Sequence, residues 1–156
     1  MKKACLLIII LLLSGCSHQA DEGKEVTAPM EKTNQVLLNV SAEESMDQAV
    51  LKLSIQNDTD MKKTFTFPSG QTYELSVTDQ EGNEVYRYSK GKMFTQAIRE
   101  LTLEPGEKKE YQEVWGYRSN GNKAASGEYK VEALFLGKEK AEKPLKAQTK
   151  LTIPEK

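Results

Sequence analysis

Two cysteines and one histidine are the only residues of those types in the 156-residue chain, and all three fall among its first positions, as Cys5, Cys16 and His18. Cys16 has the informative neighbours. Leu13-Ser14-Gly15-Cys16 resembles a lipobox, in which the cysteine sulfur receives a diacylglyceryl group and the chain is cut between Gly15 and Cys16. The small residues ahead of the cut suit a narrow peptidase cleft. Beyond His18 the chain has no imidazole and no thiol, so Ser-His-Asp triads, Cys-His dyads, disulfides and zinc clusters have no material there. Acid pairs remain. Glu43-Glu44 and Asp58 with Asp60 could in principle hold calcium or serve a glycosidase, but Asn57-Asp58-Thr59-Asp60 lacks the glycine and distal glutamate of an EF-hand loop. Solvated loop charge is the simpler explanation. A Ser–Lys nucleophile pair is not distinguished by composition alone. No catalytic residue, metal site or cofactor is assigned, and the expectation is a protein without enzymatic activity.

The elements around Cys16 fit the chemistry assigned to it. Lys2-Lys3 is a short cationic start, followed by an unbroken apolar run from Ala4 to Leu13. That is the pattern of a signal peptide. As a helix the run would span only about 15 Å, roughly half the hydrocarbon core of a bilayer, which argues against a permanent transmembrane helix. Once cut, Cys16 would carry two acyl chains, each contributing on the order of 10 kcal/mol at about 0.8 kcal/mol per buried methylene. Two chains anchor stably where one does not. The expected location is therefore the extracytoplasmic face of the cell membrane, with the diacylglyceryl group at Cys16 as anchor.

Downstream of the cysteine, residues 16–33 combine Asp21, Glu22, Gly23, Lys24, Glu25 and Pro29 with little apolar periodicity. They read as a flexible tether with a mean reach on the order of 20 Å. The division is thus a lipoprotein signal peptide at 1–15, a tether at 16–33 and one domain at 34–156. Charge adds an exclusion. The chain has 22 Lys and Arg against 23 Asp and Glu, and loss of Lys2 and Lys3 makes the mature form more acidic. A nucleic-acid-binding surface is not indicated.

Within the domain the repeated signal is period-two alternation broken by turn residues, the mark of a β-protein. Leu51, Leu53 and Ile55 share one face, as do Phe65 and Phe67, and then Tyr73, Leu75 and Val77. Gln80-Glu81-Gly82-Asn83 predicts a hairpin loop leading into Val85–Ser89. Glu100–Leu103 ends at Glu104-Pro105-Gly106-Glu107, a type II turn signal because proline sets φ at the second position and glycine accepts a positive φ at the third. Lys109–Gly116, Gly127–Leu136 and Lys146–Ile153 complete about eight antiparallel strands, spaced as in an Ig-like β-sandwich. Met93–Ile98 fits a strand or a helical turn, and periodicity does not choose. Lys138–Pro144 reads as a solvated connection.

Several motifs then carry a resemblance. Phe67-Pro68-Ser69-Gly70-Gln71-Thr72-Tyr73-Glu74-Leu75, Tyr86-Arg87-Tyr88-Ser89, Met93-Phe94-Thr95-Gln96-Ala97, Leu103-Glu104-Pro105-Gly106-Glu107, Trp115 and Gly127-Glu128-Tyr129 follow the order found in the BsuPI family, whose founding member is an intracellular proteinase inhibitor of Bacillus. The match runs from Val36 to Leu136. It implies an Ig-like sandwich and inhibition of a subtilisin-type serine protease by surface complementarity. The alternative is a non-inhibitory protein-interaction module of the cell envelope. Tyr117, Arg118, Ser119 and Asn120 open the longest irregular stretch, at one end of the expected sandwich, where binding loops often sit. They are the candidate partner loop, weighed against a plain hairpin connection. Core packing is the simpler role for Trp115.

Overall fold

The computed structural model describes residues 33–119, 121–139 and 143–155. The chain divides between Met30 and Glu31, and all described residues lie in the second unit. The expected signal peptide, Cys16, His18 and the rest of the expected tether before Thr33 fall outside the described residues, as does Asn120.

Among the described residues there are eleven strands and no helix. They are β1 (Val36–Ser45), β2 (Gln48–Asn57), β3 (Lys63–Phe67), β4 (Tyr73–Thr78), β5 (Glu84–Arg87), β6 (Arg99–Leu103), β7 (Lys108–Trp115), β8 (Arg118–Ser119), β9 (Asn122–Lys123), β10 (Gly127–Phe135) and β11 (Leu145–Ile153). The protein is all-β, as expected, but the count of about eight needs correction. β8 and β9 are two-residue strands inside the stretch read as irregular, and β1 begins with three consecutive apolar residues and ends in Glu43-Glu44-Ser45, which hides its alternation. Met93–Ile98 is neither strand nor helix.

Antiparallel pairing arranges one sheet in the order β1-β2-β7 and another in the order β11-β10-β4-β5. The pleat sends alternate side chains of both sheets into one core. Leu51 and Leu53 of β2 and Trp115 of β7 meet Leu75 and Val77 of β4, Val131 and Ala133 of β10, and Leu151 and Ile153 of β11, all buried. The main elements therefore form a two-layer sandwich, stabilised by burial at about 25 cal/mol per Å² of apolar surface. The third sheet, β3 with β6, closes one end over a smaller cluster of Ile55, Phe65, Phe67, Leu103 and Phe135. There Phe135 meets Phe65 and Phe67 edge-on, at 5.2 and 5.3 Å between ring centroids. Gly137 lies against those rings so closely that a Cβ would sit 2.7 Å from Phe67 Cζ. Tyr129, near the start of β10, donates its hydroxyl to the Ala125 carbonyl at 2.7 Å, a tyrosine corner of the kind that Ig-type sandwiches carry.

The turns are built as their residues dictate. Gly106 has φ of 81°, and the Glu107 N–H donates to the Glu104 carbonyl at 2.9 Å. Asn57, fully buried, ties this turn to the end of β2. Its backbone N–H donates to Glu107 and its carbonyl accepts from Gly106, while its side chain donates to the Met61 and Leu103 carbonyls at 2.8 and 2.9 Å. At the β4–β5 hairpin Gly82 has φ of 87°. Asp79 caps that loop by accepting from the Glu81 and Asn83 N–H groups, and its bond from the Asn83 side-chain amide leads in holding its carboxyl below the usual aspartate range.

Candidate functional site

Two surface regions emerge from this frame. The first is the candidate partner loop, and the structure divides its members. Tyr117 is 1% exposed, with its ring edge-on to Trp115 at 5.3 Å, and so packs in the core rather than facing a partner. Arg118 and Ser119 pair with Lys123 and Asn122 in the β8–β9 hairpin. The Trp115 indole N–H donates to the Arg118 carbonyl at 3.1 Å, and the Ala124 N–H donates to the Tyr117 carbonyl at 2.7 Å. The main chain here is committed to holding a short hairpin on the body of the sandwich.

The second region lies where β5 and β7 end their respective sheets. It gathers residues that the sequence shows only as separate motifs. Tyr73 of β4 stacks on Tyr88 at 4.4 Å and tilts against Tyr111 of β7 at 4.7 Å. Its hydroxyl donates to Glu113 at 2.7 Å. Burial first, and this hydrogen bond next, push the Tyr73 phenol far above its ordinary value. Tyr86 of β5 lies 6.2 Å from the Trp115 ring, and burial pushes its phenol up to about 12. Lys92 sits 3.6 Å from the Tyr88 ring centroid and 3.4 Å from the Glu113 carboxylate. An inward-pointing charge such as Glu113 on an end strand also discourages pairing with another strand.

From this aromatic edge the chain leaves β5 and runs to β6 without regular structure from Lys92 to Ile98. Phe94 turns inward and packs on Tyr88 at 5.9 Å. Thr95 lies against the Pro68-Ser69-Gly70 turn. The Gly70 N–H donates to the Thr95 carbonyl at 2.8 Å, and a Cβ on Gly70 would sit 2.6 Å from Thr95 Oγ1. Met93 and Ile98, in contrast, are 98% and 73% exposed.

The order of these residues along the chain matches a family profile described as intracellular proteinase inhibitor, BsuPI, over residues 36–140. The chain belongs to the BsuPI family. The profile reaches from β1 into the β10–β11 connection, so it takes in the aromatic edge and the segment it holds. No curated protein matches the chain. Among solved structures, Spo0M, a sporulation control protein from Bacillus subtilis, is similar at 8% identity and a TM-score of 0.47 over 78% of this chain and 50% of that one. The β-glucuronidase of Bacteroides uniformis gives 14% identity and a TM-score of 0.39 over 74% and 13% of the two chains. CsgH of R. palustris gives 14% identity and a TM-score of 0.33 over 76% and 92%. The chain spans half the length of Spo0M.

Sequence reading found the motif residues of this BsuPI domain without finding that they meet. Tyr73, Tyr86, Tyr88, Phe94 and Trp115 are separated along the chain, and strand pairing together with the packing of the two sheets brings them to one edge. A usable signal was the consecutive pair Met93-Phe94 at a place where periodicity does not choose between strand and helix, which suits a segment with one side chain turned in and its neighbour turned out.

Proposed function

We propose that this protein is a lipoprotein anchored at Cys16 on the extracytoplasmic face of the membrane, and that its sandwich domain inhibits a subtilisin-type serine protease by occupying the protease's binding surface. The observation that carries the inhibitory half is membership of a proteinase-inhibitor family across most of the domain. Support for the anchored half is the Leu13-Ser14-Gly15-Cys16 sequence after a short apolar run. The domain acts by binding, without a cofactor, and performs no turnover of its own. Reading the sandwich as Ig-like is supported by its strand order and tyrosine corner.

A second reading is favoured by one observation. The family is described as intracellular, whereas the first residues of this chain read as an export signal, which would give it a different protein partner. In that reading the domain docks onto another envelope protein without inhibiting it. The two are separated by adding the detergent-extracted full chain, at about micromolar concentration, to a panel of extracytoplasmic subtilisin-type and unrelated proteases. Inhibition confined to subtilisin-type enzymes is the expected result. Full activity across the panel removes the inhibitor reading.

A further inference from the structure

A protease cleft takes its peptide as an extended strand, through main-chain hydrogen bonds and pockets for side chains. A segment that occupies such a cleft without being released as product needs a main chain outside any strand pairing, exposed side chains and a rigid mounting that lowers the ordering cost of binding. The β8–β9 hairpin fails this test, because its strands pair with each other and Tyr117 is buried. Met46 and Met61 are exposed, but each stands alone in a turn or short loop.

The geometry points to Met93–Ile98 as the segment that enters the protease cleft, with Met93 and Ile98 as its apolar contacts. The inference rests on the inhibitor reading and deepens it by naming the site. Among the described residues no strand pairs with this run. It is mounted at three places. Lys92 is held over Tyr88 and against Glu113, Phe94 is packed on Tyr88, and Thr95 accepts the Gly70 N–H, with its hydroxyl so close that a Cβ on Gly70 would displace it. Immediately after Ile98, Arg99 enters β6 opposite Phe67. The half-buried Phe94 beside the outward Met93 gives the run a packed foot and an exposed contact, and the aromatic edge becomes the mounting for a recognition segment. The partner is thus a cleft with apolar side-chain pockets.

The test compares the detergent-extracted full chain with M93D/I98D, G70V and a hairpin variant, R118D/K123D, against a subtilisin-type protease that the unsubstituted chain inhibits. M93D/I98D alters only exposed side chains, so its Trp115 emission and urea midpoint should match those of the parent, while inhibition weakens about 100-fold. G70V should weaken inhibition about tenfold by pushing Thr95 off its mounting, and R118D/K123D should leave it unchanged. Full-strength inhibition by M93D/I98D, or its loss in R118D/K123D alone, overturns the segment assignment and leaves the inhibitor reading standing. A change of oligomeric state in M93D/I98D with inhibition intact also overturns it, in favour of a contact between copies. Unchanged inhibition by G70V overturns the role given to the mounting. If the unsubstituted chain inhibits no such protease, both readings fall together.

Discussion

Asn57 shows how much a single polar side chain can hold in a protein without disulfides in its domain. Its amide donates to the Met61 and Leu103 carbonyls, and its side-chain oxygen accepts from the N–H and hydroxyl of Thr59. Asn57→Ala removes all four bonds at a fully buried position. With each buried group left unsatisfied costing about 1–3 kcal/mol, the expected loss is about 3 kcal/mol, read as a lower urea midpoint at unchanged slope. The tyrosines set an alkaline limit. Burial raises the Tyr86 phenol from 10.0 to about 12, so the folded state keeps its proton where the unfolded chain has lost it. Stability from this group is complete below about pH 10 and falls as pH rises toward about 12. Urea midpoints should therefore drop between about pH 10 and pH 12, and Tyr86→Phe should make that drop shallower.

At the scale of elements, the Glu104–Glu107 turn separates backbone demand from packing. Gly106 has φ of 81° and open space where a Cβ would go, while Gly116 has the same open space without a positive φ. Gly106→Ala should cost about 1–2 kcal/mol through backbone strain alone, and Gly116→Ala should leave the thermal midpoint nearly unchanged. Scanning calorimetry on the pair checks both. This turn was legible in the sequence because proline and glycine specify it locally. β2, β4 and β10 were legible for a similar reason, since Leu51-Lys52-Leu53 and Tyr129-Lys130-Val131 alternate between a buried and a wetter face. β1 was not, because its inward residues end in a small Ala42 and its start is apolar on both faces. The mounting of Met93–Ile98 was not legible either. It depends on Gly70 and Tyr73 arriving from well upstream to meet Thr95 and Tyr88, and no local period records that arrival.

For the whole molecule, the proposed lipid anchor at Cys16 would tie the membrane to a recognition domain. Cys16→Ala should move the protein from the membrane fraction to the soluble fraction, as followed by immunoblotting after cell fractionation, because the two proposed acyl chains would supply the anchoring energy. The most direct measurement of the joint claim mixes membranes from cells expressing the full chain with a purified subtilisin-type protease, sediments them, and assays protease amount and activity in pellet and supernatant. The account predicts protease in the pellet and inactive there, with both effects lost for membranes from Cys16→Ala cells. A protease that stays in the supernatant at full activity contradicts it.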